Sequence, residues 1–208
     1  MKWNQVKDIW KKVWHFIWEE DSWLSWIVNI ILAFLIIKFI VYPILGFVFS
    51  TTHPIVAVVS GSMEHDESFE DWWDSKAQCG VQLCTQGEHY AQYGIMQDEF
   101  LKYKYKNGFN KGDIIILYGK DPGEIKRGDV LVFEAGKSNP IIHRVVKVTN
   151  SESEVYYTTK GDHNPTSSNF EKMISEDTII GTGSIRIPYL GYIKIGFVKL
   201  LELIVLIR

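Results

Sequence analysis

The chain has 208 residues and a net charge of −3, with 22 basic residues dispersed along it. No polybasic tract or groove-forming motif is present, so nucleic acid is excluded as a partner. The length suits one globular domain of about 150 residues plus a further element.

Residues 1–20, "MKWNQVKDIWKKVWHFIWEE", place Trp3, Val6, Trp10, Val13, Trp14 and Ile17 at helical spacing, with Lys7, Asp8, Lys11 and Lys12 between them. This pattern predicts an amphipathic helix suited to the membrane interface. Residues 23–49 follow as "WLSWIVNIILAFLIIKFIVYPILGFVF", in which Lys38 is the one charge. A run of this length is expected to cross a bilayer as a helix, where every backbone group must be satisfied internally. It exceeds the apolar stretch of a cleaved signal peptide. Lys38 must snorkel or face protein, and Pro43 is expected to kink or end the helix. Lys2, Lys7, Lys11 and Lys12 favour a cytoplasmic N-terminus, which puts the remaining domain outside the cytoplasm.

Residues 51–190 read as a β-rich domain interrupted by an insertion at 64–110. "IVAVVSGSM" is a short strand ending at Gly61. The insertion shows no clean alternation and predicts local helix and loop. It carries Cys79 and Cys84, which suit a loop-closing disulfide outside the cytoplasm; His89 is near but lone, so no metal site is expected. "GDIIILYG", "GDVLVFEAG", "NPIIHRVVKVTN", "SEVYYTTKGD" and "DTIIGTGSIRIPYLGYIKI" follow as short strands with Gly-rich turns. They predict a mainly β fold, an antiparallel sandwich or barrel-like domain. Residues 191–208 form an apolar C-terminal helix, but Lys194, Lys199 and Glu202 favour an interfacial or partly inserted position over a full span.

Ser60-Gly61-Ser62-Met63 places hydroxyls at a strand end with free backbone N–H groups, a setting that suits a nucleophile and its oxyanion. Such turns are common, and a serine needs a base. His143 lies within a strand run, sharing a face with Val145 while Ile142, Arg144 and Val146 take the other. Imidazole takes and returns protons near neutral pH. Asp162, in the turn "GDHNP", is the candidate third group, although Asp and Asn also nucleate turns by bonding their own backbone.

An apolar helix followed by "SGSM", "GDVLVF", "IIHRVV" and "TKGD", in that order, resembles signal peptidase I of the archaeal and endoplasmic-reticulum type, in which His replaces a Lys base. The resemblance covers nearly the whole chain except 64–110. It implies Ser62 as nucleophile, His143 as general base and then acid, and Asp162 as triad acid. It also implies that Ser60, with the Ser62 N–H, holds the oxyanion, beside Val58 and Met63 as oxyanion or substrate-binding positions. No cofactor is implied. The implied substrates are preprotein signal peptides with small residues at −3 and −1, cut at the outer side of a plasma or endoplasmic-reticulum-like membrane. Accessory subunits are a further possible class of partner.

Two departures stand out. His65 occupies the place of the expected Pro, and Ser168 stands six positions after Asp162, where a second acid is expected. Glu171 or Asp177 are alternative acids, and a Ser-His dyad is another solution. Ser168 also supports a competing reading, a catalytically weak or inactive membrane-anchored accessory protein of the same fold. A Ser-Lys hydrolase of the self-cleaving repressor type is disfavoured by His143 and by the apolar helix.

Overall fold

The computed structural model describes residues 3–151 and 154–206, and the side chains of these as far as residue 203. Lys2 therefore lies outside the described residues. The chain divides into two compact units, Met1–Val48 and Phe49–Arg208.

In the first unit, α1 (Trp3–Trp18) buries none of its residues, and Trp10, Trp14 and Trp18 form a contiguous exposed aromatic stripe. α2 (Trp23–Ile36) starts at Ser22, whose hydroxyl accepts from the Ser25 N–H at 3.2 Å. The turn back onto α1 is held by Ser25 Oγ donating to the Phe16 carbonyl at 2.7 Å and Asn29 Nδ2 donating to the Ile17 carbonyl at 2.9 Å. A π-helical turn, Ile37–Val41, leads into α3 (Tyr42–Val48). Pro43 does not end the helix. It lacks the N–H that would bond four residues back, and the π turn absorbs the mismatch: the Tyr42 N–H donates to the Ile37 carbonyl instead. The combined helix Trp23–Val48, 26 residues, is long and apolar enough to cross a membrane.

The second unit is mainly β. Its strands are β1 (Ile55–Ala57), β2 (Lys76–Cys79), β3 (Gln82–Thr85), β4 (Ile114–Tyr118), β5 (Val130–Phe133), β6 (Ile141–Asn150), β7 (Val155–Lys160) and β8 (Ile179–Ile187). Six of these form one sheet in the order β1-β4-β8-β5-β6-β7, antiparallel at every pairing, with β1 and β7 as its edges. β5 is buried along its length, which is why "VLVF" shows no polar alternation. Val130 and Val132 join a core with Val58, Met63, Phe109, Ile115 and Leu117, while Leu131 and Phe133 pack on the other side with Val145, Tyr157 and Ile174.

The insertion differs from the loop-and-helix expectation. Besides α4 (Phe69–Trp73), α5 (Gln86–Ala91) and α6 (Gln97–Phe100), it contains the β2–β3 hairpin, turned at Gly80 with φ +67° and closed by the Cys79–Cys84 disulfide. Strands of four residues with mostly exposed faces carry no apolar period, so pattern alone does not reveal them. Phe69, Trp72, Tyr90, Ile95 and Phe100 build a separate aromatic core that meets the sheet at Val146. The C-terminal α7 (Tyr192–Leu206) exposes Tyr192, Ile193, Phe197, Leu200 and Leu201.

Candidate active site

β1 ends just before the turn Gly61–Glu64, closed by the Glu64 N–H on the Gly61 carbonyl at 3.0 Å. Met63 anchors this turn: its side chain is fully buried in the core. Ser62 is thereby left partly exposed, on a backbone pinned from below. Among the described residues, no group accepts a hydrogen bond from the Ser62 N–H.

His143 reaches the same point from β6. Its pairing with Leu131 puts it on one face of the sheet, and Arg144, paired with Val130, on the opposite one. His143 Nε2 lies 2.9 Å from Ser62 Oγ. His143 is 5% exposed. Ser60 Oγ is 3.3 Å from Ser62 Oγ and is exposed.

The acid that meets the other imidazole nitrogen is Glu171, not Asp162. Glu171 Oε1 bonds His143 Nδ1 and also accepts from Thr159 Oγ1 at 3.3 Å. Its second oxygen accepts from the Ser168 N–H at 2.7 Å, and the carboxylate is fully buried. The Ser168 departure thus has a structural counterpart. Ser168 begins the short 3₁₀ turn Asn169–Glu171, which delivers a longer acid to the imidazole three residues later.

Asp162 is withheld from the imidazole by other partners. Arg144 donates from Nε to Oδ1 at 3.0 Å and from Nη2 to Oδ2 at 2.6 Å, Tyr90 donates to Oδ1 at 2.7 Å, and His65 Nε2 meets Oδ2 at 3.1 Å. Burial alone raises a carboxyl pKa, but the Arg144 charge and the hydrogen bonds from His65 and Arg144 outweigh it and hold Asp162 well below the usual carboxylate range. A buried ion pair of this kind is costly to break, on the order of 3–5 kcal/mol.

Val58 and Met63, expected beside the oxyanion or substrate, have core side chains, and the Val58 backbone bonds Asp113 and Gly112. His65, in place of the expected Pro, stacks on Trp72 at 3.6 Å between ring centroids. Its part in the site is announced in the sequence by that departure alone. Asp177 bonds Ser175 and takes no part at the imidazole.

Gly161 is required by space. A Cβ there would lie 2.8 Å from both His143 Nε2 and the Ser62 carbonyl, closer than any side chain tolerates. In the insertion, the Cys79, Cys84 and His89 ligand atoms lie within 4.8 Å of one another, but both sulfurs are used in the disulfide.

The chain is similar in sequence to several known proteins. The chain is 38% identical over 101 residues to the signal peptidase complex catalytic subunit of Komagataella phaffii, covering 42% of this chain and 57% of that protein. It is 26% identical over 164 residues to that of Scheffersomyces stipitis, covering 76% and 73%. It is 34% identical over 94 residues to that of Clavispora lusitaniae, covering 42% and 56%. This chain resembles signal peptidase I. In the first and third alignments it spans somewhat over half of the relative's length. No family model matches the chain.

Proposed function

We propose that this chain is a membrane-anchored serine endopeptidase that removes N-terminal signal peptides from exported preproteins. The observation that carries the reading is the Ser62–His143–Glu171 line, with 2.9 Å between hydroxyl and imidazole and a buried carboxylate behind it. Glu171 accepts from the Nδ1–H and so keeps Nε2 free to take the Ser62 proton. Ser62 Oγ attacks the scissile carbonyl, and the C–N bond breaks as His143 returns the proton to the leaving amine. Water, deprotonated by the same imidazole, then releases the acyl group. The unbonded Ser62 N–H and the Ser60 hydroxyl are the donors nearest the developing oxyanion.

Substrate binding is assigned to the open edge of β1. Val58 bonds toward β4 through Asp113 and Gly112, and Pro54 through Leu117, so alternation leaves the backbone groups of Ile55, Ala57 and Val59 facing outward. An extended peptide can add there as a strand and run toward Ser62. Small residues at −3 and −1 are the selectivity that the resemblance implies. The Trp23–Val48 helix, with α1 in the interface and the catalytic unit outside the cytoplasm, confines the reaction to the membrane where the substrate's own apolar segment is held. The relatives are named as subunits of a complex, which supports further subunits as partners here. The competing non-catalytic reading rests on Ser168, and the Glu171 carboxylate against His143 Nδ1 favours the catalytic one. Lys160, buried beside Gly161, bonds Gln86 and two carbonyls rather than Ser62, which disfavours a Ser-Lys mechanism. Ser62→Ala and His143→Ala should each abolish processing of a preprotein in detergent and labelling by a fluorophosphonate; full activity in either variant refutes the assignment.

A further inference from the structure

We infer that part of the 64–110 insertion is a clamp: it holds the turn Lys160–Pro165 against Ser62, with Tyr90 and Gln86 as positioning residues. The inference rests on the proposed role of Ser62 as nucleophile.

The turn sets the nucleophile's backbone. The His163 N–H donates to the Ser62 carbonyl at 2.9 Å, and the Asp162 N–H points at Met63 Sδ at 3.4 Å. Gly161 passes so close to both Ser62 and the imidazole that no side chain fits there. Any slide of this turn therefore moves the Ser62 N–H relative to His143.

The turn's opposite side is held by the insertion together with Arg144 of β6, which bonds both oxygens of the Asp162 carboxylate. Tyr90 donates to Asp162 Oδ1 at 2.7 Å, Trp72 Nε1 donates to the Asp162 carbonyl at 3.2 Å, and His65 bonds Oδ2. Lys160 Nζ bridges Gln86 Oε1 at 2.7 Å and the Gly161 carbonyl at 3.0 Å, while Gln86 Nε2 donates to the Asn164 carbonyl at 3.3 Å. The Gln78 N–H of β2 donates to the Pro165 carbonyl at 2.9 Å.

The gripping groups sit on a stiff support. Gln86 and Tyr90 are four residues apart on one face of α5, which starts with a reciprocal capping box between Thr85 and Glu88. The preceding hairpin is cross-linked by Cys79–Cys84, and Tyr90 packs edge-on against Phe100 at 4.9 Å. A sheet can present Ser62 and His143 without this support, but its own hold on the turn's outer side is Arg144 on the Asp162 carboxylate, while the carbonyls of Asp162, Asn164 and Pro165 are bonded by Trp72, Gln86 and Gln78 of the insertion.

The test compares Tyr90→Phe, Gln86→Leu and the control Tyr103→Phe, whose hydroxyl bonds Glu99 within the insertion and not the turn. Tyr90→Phe removes one O–H and leaves Asp162 paired with Arg144, so the fold is retained. Since displacement of a reacting group by about 1 Å costs about 10²-fold, kcat on a preprotein should fall 10- to 100-fold in Tyr90→Phe and Gln86→Leu. KM should stay within about twofold, because the β1 edge is untouched, and Tyr103→Phe should match wild type. Amide hydrogen exchange of residues 160–164 should accelerate in the first two variants only. Unchanged exchange in the turn, or wild-type kcat in both variants, overturns the clamp. A wild-type chain that neither cleaves preprotein nor labels at Ser62 overturns the proposed function instead, and the exchange measurement still decides the clamp.

Discussion

Glu171→Gln is the sharpest perturbation of the site, because it keeps shape while replacing the charge and one acceptor oxygen with an NH₂ donor. In the native arrangement one carboxylate oxygen faces His143 Nδ1 and the other accepts from the Ser168 N–H at 2.7 Å. A glutamine has two ways to sit there. If its oxygen keeps the Ser168 bond, its NH₂ faces Nδ1 and forces that nitrogen to accept. The imidazole proton then moves to Nε2, 2.9 Å from Ser62 Oγ, where it blocks abstraction of the serine proton. If the amide flips, its NH₂ faces the Ser168 N–H, and two donors meet in a fully buried place. Loss of the correct tautomer in Ser-His-acid sites lowers kcat by about 10⁴. At about 1.4 kcal/mol per decade, that is a loss of roughly 5 kcal/mol of transition-state stabilisation. The assay is single-turnover cleavage of a preprotein in detergent, with fluorophosphonate labelling of Ser62 as a second measure of acylation. Glu171→Gln within threefold of wild type, alongside a folded but inactive Asp162→Asn, would refute the reasoning and return the acid role to Asp162.

Three further outcomes follow from named contacts. Gly161→Ala places a methyl 2.8 Å from His143 Nε2 and from the Ser62 carbonyl, so labelling of Ser62 should slow at least about 10²-fold and the thermal midpoint should fall, since overpacking costs about 1–3 kcal/mol; unchanged labelling contradicts the packing at the turn. Burial lowers the Lys160 pKa to about 7, with Asp162 and Glu171 partly opposing the shift. The native amine then releases its proton near pH 7 while the unfolded chain keeps it to about pH 10.4, so stability rises with pH across that window. Relative to Lys160→Met, wild type should gain up to about 1.4 kcal/mol per pH unit there, and parallel stability curves from denaturation at pH 7 and pH 9 would exclude it. Removing the Cys79–Cys84 cross-link with paired serines opens a short loop and should cost about 2 kcal/mol, read as a lower midpoint without reducing agent and no difference with it.

Much of the architecture is written in local patterns. An uninterrupted apolar run from Trp23 leaves a helix as the one backbone solution in lipid, and Lys38 is too isolated to change that. The β-branched runs of residues 114–118, 130–133 and 141–150 each appear as strands because β-branched residues and turn glycines act over a few residues. Ser62 and His143 could be named for the same reason, one at a strand end beside glycine and the other inside a regular strand.

Tertiary structure alone decided three matters. It put Glu171 rather than Asp162 against the His143 imidazole, because that contact depends on where a 3₁₀ turn delivers a side chain and on Arg144 claiming the nearer acid from the opposite face of β6. It made a hairpin of residues 76–85, whose pairing is set by a cross-link and by Pro165 far along the chain rather than by any apolar period. It left β1 at an open edge, since strand order is a property of the whole sheet. Periodicity reports which face of an element is buried. It carries no information on which distant carboxylate arrives there, because that is settled by competition among contacts between residues far apart in sequence.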